Sequence, residues 1–242
     1  IREKAKGDIF LTVLGFGRGN LKDSEMETLA NRGDGNYAYI DSLAEGRKVL
    51  GEQVGGTLMT IAKDVKIQVE FNPEHVAGYR LIGYENRMLA ARDFNDDKKD
   101  AGELGAGHTV TALYEVIPAG VAVPGEAVDS LKYQATSDRD GSAGELMTVK
   151  LRYKAPEGER SRRISHVVDA ESPADAMSPD FEFAAAVAWF GRLLRGDDGS
   201  ADVALDDLLV RATRGVGADP HGHRMGFITL VKQSKPLLAA TR

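Results

Sequence analysis

The sequence predicts an α/β opening, then a run of antiparallel strands, then a short helical end. Three observations carry this. A continuous apolar run at Asp8–Gly15 ends in glycines. Period-two alternation starts abruptly at Asp64, and helical spacing returns at Ser178. The corresponding segments are 1–62, 63–170 (a β-sandwich-like module) and 178–236 (a helical region).

Asp8–Gly15 suits a strand buried on both faces of a parallel sheet. Asp23 and Ser24 followed by Glu27 signal a helix start, with Leu21, Met26 and Leu29 on its apolar side. Gly33, Gly35 and Asn36 punctuate a turn before a short strand at Tyr37, Tyr39 and Ile40. Ser42 with Glu45 forms a second capping signature. Leu43, Leu50, Val54, Leu58 and Ile61 then fall on one face of a long helix, weakened by Gly51, Gly55 and Gly56.

Beyond Asp64, Val65, Ile67, Val69 and Phe71 alternate with Lys66, Gln68 and Glu70, so a half-buried strand is expected up to Asn72-Pro73. Tyr79–Glu85, Thr109–Ile117 and Met147–Lys154 are further strands, with shorter ones at Val121–Val123, Leu131–Ala135 and Ile164–Val168. Strands punctuated by Pro and Gly with no helix between them favour an antiparallel sandwich. Segments 137–144 and 157–163 read as exposed loops.

Ser178-Pro179-Asp180 opens a helix whose stripe is Phe183, Val187, Phe190 and Leu194, closed by Gly196. Leu205, Leu208, Leu209 and Ala212 make a second helix. Asp219-Pro220 opens a third, ended by Pro236.

Composition narrows function by exclusion. The 242 residues are 42% hydrophobic and carry a net charge of −6 with both signs interspersed, which disfavours a general nucleic-acid binder. No apolar run is long enough for a membrane span, so direct membrane insertion is not expected. The absence of cysteine excludes disulfides, thiolate catalysis and cysteine-based metal sites. The sequence begins at Ile1 with no targeting segment, the pattern of a processed or partial chain.

Four motifs invite chemistry, and each has a structural reading beside it. Gly15-Phe16-Gly17-Arg18-Gly19 between a strand and a helix could cradle a phosphate, so nucleotide binding at Gly15–Gly19 is one alternative. Its spacing departs from the dinucleotide fingerprint, which favours a plain glycine turn. Asp93, Asn95, Asp96, Asp97, Asp100 and Glu103 offer hard oxygen ligands, yet Lys98 and Leu104 occupy the sixth and twelfth places an EF-hand loop needs for Gly and Glu. A solvated loop is the competing reading. His221 and His223 could donate two imidazoles, or simply flank a helix start. The Asp93–Asp100 loop with His221/His223 would make a metal-assisted hydrolase, a second alternative. Arg152, Lys154, Arg160, Arg162 and Arg163 form a basic stretch that reads as the solvent face of a strand and loop. His75, His108 and His166 are isolated, and neither G-x-S-x-G nor H-E-x-x-H occurs. No catalytic, cofactor-binding or metal-ligating residue is therefore assigned.

Phe10-Leu-Thr-Val-Leu-Gly-Phe-Gly17 and Leu29-Ala-Asn-Arg-Gly-Asp-Gly-Asn-Tyr-Ala-Tyr-Ile-Asp41 resemble the closing third of a von Willebrand factor type A (VWA) domain. Asp64–Pro73, Tyr79–Arg87 and Gly105–Glu115 resemble the region that follows such a domain in one group of bacterial proteins, which end in a helical segment similar to Phe181–Val231. The resemblance implies that 1–62 belongs to a doubly wound sheet, here a partial one. It also implies a divalent cation, Mg²⁺, held by an Asp-x-Ser-x-Ser loop, a Thr and a further Asp. Those motifs lie outside this chain, so no cofactor is expected within it. Implied further are a non-enzymatic role as an adhesion-type scaffold for a protein partner and a bacterial cell-envelope location, with a lipid anchor on the full protein. The incomplete sheet is expected to associate with a missing N-terminal half or with a second copy.

Overall fold

The computed structural model describes residues 10–17, 22–84, 87–123, 144–171, 177–196 and 205–240. By backbone contacts the chain divides into two units. The first holds Ile1–His75, Arg87–Thr111 and Ala135–Ala170, and the second holds Val76–Asn86, Ala112–Gln134 and Glu171–Arg242.

In the first unit, β1 (Val13–Phe16) and β2 (Tyr37–Ile40) pair in parallel around α1 (Asp23–Arg32). The apolar run thus yields a four-residue strand. Its expected start falls outside the described residues. Helix α1 begins at Asp23 without a side-chain cap, because Ser24 lies inside the helix, where its carbonyl accepts the Thr28 hydroxyl. Asp23 instead accepts a hydrogen bond from the Tyr37 hydroxyl.

The Ser42 cap forms as read: its hydroxyl accepts the Glu45 N–H at 3.2 Å. The long helix does not form. It breaks into α2 (Leu43–Arg47), a π-helical turn (Lys48–Glu52) and α3 (Val54–Leu58). Gly51, Gly55 and Gly56 lower helix propensity where the chain changes pitch. At Gly56 the backbone must also come close to a strand: a Cβ on the facing Gly105 would lie 1.6 Å from the Gly56 carbonyl oxygen. Leu43, Leu50, Leu58 and Ile61, expected to be a buried stripe, are all exposed.

Strand β3 (Thr60–Phe71) starts four residues before Asp64 and bulges there, with Asp64 at φ +51°. It lies between β5 (Gly102–Gly105) and β7 (Glu145–Lys154), with β8 (Arg162–Asp169) on the outer side of β7, all antiparallel. The register places Ile67, Val69 and Phe71 beside Leu151, Val149 and Met147, and these beside Ile164, His166 and Val168, on one face. The other face carries Lys66, Gln68 and Glu70 beside Arg152, Lys150 and Thr148. Sequence alternation predicts Lys66 in solvent, but it is only 5% exposed, covered by the 91–100 loop. Strand β5 has no counterpart in the sequence pattern, because its four residues are too few for a periodic signal.

In the second unit, β4 (Val76–Ile82) and β6 (Leu113–Pro118) form an antiparallel pair. Strands that the sequence groups in one module are thus divided between units. Val121–Val123 is not a strand, and Leu131–Ala135 and the loop at 137–143 lie outside the described residues. Helices α4 (Pro179–Arg195), α5 (Leu205–Arg214) and α6 (His223–Ala240) complete the unit. Ser178 caps α4, Pro179 opens it, and Gly196 closes it at φ +70°. Its buried face is rotated from the expected stripe: Ala186 and Phe190 join Leu208, Ala212, Ile228 and Val231 in the core, while Val187 and Leu194 are exposed. Phe227 packs edge-on against Phe183 and Phe190. Arg192, buried on the same helix, reaches Glu115 of β6 at 3.4 Å. Helix α6 starts at His223 rather than Pro220 and continues through Pro236, whose ring removes a bond only from the exposed Lys232 turn.

Candidate functional site

The acidic loop in the first unit is the more elaborate of two candidate sites. A 3₁₀ turn at Ala91–Asn95 leads into it. Arg152 on β7 donates to Asn95 Oδ1 and Asp97 Oδ1, each at 2.9 Å, and to the Ser161 hydroxyl. Ser161 in turn donates to Asp97 Oδ1 at 2.5 Å. Lys154 donates to the Asp97 carbonyl at 2.8 Å and to Asp64 Oδ2 at 2.6 Å. Lys66 donates to the Asp96 carbonyl. The Ser161 hydroxyl, helped by its N–H and by Arg152, holds the Asp97 carboxyl down at about 2. Residues 96 and 97 therefore fasten the loop across the polar face of the β3–β7 sheet. Chemically this is a clamp of charge-assisted hydrogen bonds. Asp93 faces Arg92 and Lys99 instead.

Glu103, read from sequence as a ligand of the same loop, sits on β5 instead. Ala62 faces Leu104 and Val65 faces Gly102, so Glu103 stands opposite the Lys63–Asp64 bulge. Its Oε2 is buried without a hydrogen-bond partner. Burial first, then the Asp64 and Asp34 charges, push its carboxyl up to about 8, against the pull of the Asp64 N–H and Lys63. Sequence reasoning misses this environment, because the bulge that creates it is not written in the hydrophobic pattern.

The second candidate surrounds the start of α6. Asp180, Asp219, Pro220, His221, His223 and Arg224 line a shallow pocket. The two imidazoles stack with centroids 5.7 Å apart and planes at 22°. Asp219 accepts the N–H of Met225 at 3.0 Å and of Arg224 at 3.1 Å, which depresses its carboxyl pKa. Arg224 donates to Asp180 and to the Gly215 carbonyl, and its guanidinium lies 5.0 Å over Phe183. Both Asp219 oxygens are thus occupied by the helix start. Among the described residues no group of three His, Asp or Glu side chains is arranged to hold a metal ion. The acidic loop and the histidine pair also belong to different units.

Of the glycine motif, Gly15–Gly17 are described; Gly17 has φ +88° and its carbonyl accepts the Tyr39 hydroxyl at 2.6 Å. Arg18 and Gly19 fall outside the described residues. Of the basic stretch, Arg152 and Lys154 turn to the clamp, and Arg160, Arg162 and Arg163 are exposed on and before β8. No described helix is long and apolar enough to cross a membrane.

Residues 56–237 match the family described as "Uncharacterized protein YfbK, C-terminal". The chain belongs to the YfbK C-terminal family. It is 36% identical over 234 residues to the uncharacterized protein YfbK of Escherichia coli K12, covering 96% of this chain and 40% of that protein. This YfbK-type chain thus spans well under half of its relative. Among solved structures, the ArnB paralog VWA2 from Sulfolobus acidocaldarius matches 89% of the chain and 50% of its own length, at 13% identity and a TM-score of 0.42. A von Willebrand factor type A protein from Catenulispora acidiphila matches 95% and 52%, at 14% identity and a TM-score of 0.32.

Proposed function

We propose that this chain is the C-terminal portion of a VWA-type protein and works as a non-enzymatic interaction scaffold. One observation carries the reading: an exposed apolar row along the broken helix of the first unit. Leu43, Leu50, Leu58 and Met59 are 73%, 55%, 79% and 63% exposed. Leu43 opens the helix that packs beside β2, a strand of a two-stranded parallel sheet, and proteins bury parallel sheets on both faces. The candidate polar groups support the same reading, since Asp97, Arg152, Lys154 and Asp219 all hold the chain's own backbone or loops. In this account the row is covered by the rest of a doubly wound sheet in the longer protein. The divalent cation belongs to that part, and the partner is a protein at the bacterial cell envelope.

Two titrations test this. An apolar dye should bind the chain, and Leu43→Ser, Leu50→Ser and Leu58→Ser together should remove most of that binding. Calorimetry with Mg²⁺, Mn²⁺ and Ca²⁺ should give no saturable heat. Saturable binding that disappears in His223→Ala would overturn the scaffold in favour of the metal-assisted hydrolase.

A further inference from the structure

Strand β8 forms one edge of the four-stranded sheet, and its backbone orientation follows from the register. The Asn72 N–H donates to the Leu146 carbonyl at 2.9 Å, so even-numbered residues of β7 direct their backbone groups toward β3. Odd-numbered residues of β7 therefore serve β8, pairing Val149 with His166 and Leu151 with Ile164. On β8 the even positions face β7. Arg163, Ser165, Val167 and Asp169 present N–H and C=O groups outward. Among the described residues no strand pairs with that edge. Every residue from Arg162 to Val167 is exposed, and Ile164 is 52% exposed. An eight-residue edge of this kind is a template for another strand.

We propose that the occupant is a second copy of the same strand, so that two chains form one continuous sheet across a two-fold axis at His166. The sequence Arg162-Arg163-Ile164-Ser165-His166-Val167-Val168-Asp169 is complementary to itself in this register. A two-fold axis normal to the sheet keeps side chains on their own faces, so opposed residues must share parity. Centring on His166 sets Arg163 against Asp169 of the second copy and Ser165 against Val167 of the second copy. Both are pairs of outward-facing residues, as a narrow hydrogen-bonded pair requires. Ile164 then meets Val168 of the second copy on the apolar face. Each such pair occurs twice. Opposite charges and apolar side chains directly across a strand pair favour it, and like charges oppose it. This dimer edge is independent of the apolar row at 43–61.

Sedimentation velocity on the 242-residue chain tests the assignment. The wild type should shift from monomer to dimer with concentration. Ser165→Pro removes an outward N–H without touching the β7 ladder, so it should stay monomeric with an unchanged circular dichroism spectrum. Arg163→Asp should weaken the dimer about tenfold or more, since it replaces two favourable pairs with two like-charge pairs. Adding Asp169→Arg to Arg163→Asp should restore it, which holds the test open should Ser165→Pro fail to fold. A wild type that stays monomeric at every concentration would overturn the proposal. So would a dimer insensitive to both Ser165→Pro and Arg163→Asp.

Discussion

Glu103→Gln should make the first unit more stable at alkaline pH and leave it nearly unchanged near pH 5. The wild-type carboxyl is raised from its usual range to about 8 by burial, Asp64 and Asp34. In the unfolded chain the same group releases its proton near pH 4.3, so between these values the folded state holds a proton that the unfolded state has lost. Stability therefore falls as pH rises through that window and reaches its floor above about pH 8. A tenfold difference in proton affinity between the two states is worth about 1.4 kcal/mol, but Glu103 is only part-buried, and solvent screening reduces the net effect to about 1–2 kcal/mol. Glutamine keeps the shape, still accepts the Asp64 N–H and never ionises. Urea unfolding at pH 5, 7 and 9 should show the midpoints of variant and wild type diverging as pH rises. Trp189, the sole tryptophan, lies in the second unit, so the readout must be local: amide exchange of Gly102–Gly105. Parallel pH profiles for the two proteins would refute the environment assigned to Glu103.

Three further outcomes are expected. The Asp97 carboxyl, held down at about 2, stabilises the loop above its ordinary range, so stability should be lost as pH falls from about 4 toward 2; Ser161→Ala should shrink that acid-side loss. Phe190→Ala should cost about 3–5 kcal/mol in thermal unfolding followed by Trp189 fluorescence, because it opens the centre of the α4–α6 core. Gly215→Ala should lower the same transition, since a Cβ there would lie 2.5 Å from the Phe183 backbone nitrogen and 2.7 Å from the Pro179 carbonyl oxygen.

Local chemistry is what the sequence discloses best. Ser42, Ser178, Pro179 and Gly196 each mark a boundary through one hydrogen bond or one dihedral angle, and each sits where its side chain or backbone suggests. The strict alternation of Val65–Phe71 and Met147–Lys154 likewise reads as paired strands. Long-range placement is not legible in the same way. The apolar positions from Leu43 to Ile61 fit a helical period, yet local breaks and the early start of β3 leave most of them in solvent. Lys66 looks solvent-facing until the 91–100 loop folds over it. The acidic cluster at 93–103 resembles a ligand set because charge composition does not record that Arg152, Lys154 and Ser161, more than fifty residues further on, return to meet it. The Asp219 turn shows the same limit: Pro220 points to a helix start, whereas the carboxylate caps amides several residues later.

The scaffold reading requires that the apolar row at 43–61 be a covered surface in the longer protein. Amide hydrogen exchange should be compared between full-length E. coli YfbK and its excised region matching this chain. The segment aligned with residues 43–61 should exchange at least about tenfold more slowly in the full-length protein. Equal exchange in both, with the row open in the complete chain, would contradict the scaffold reading.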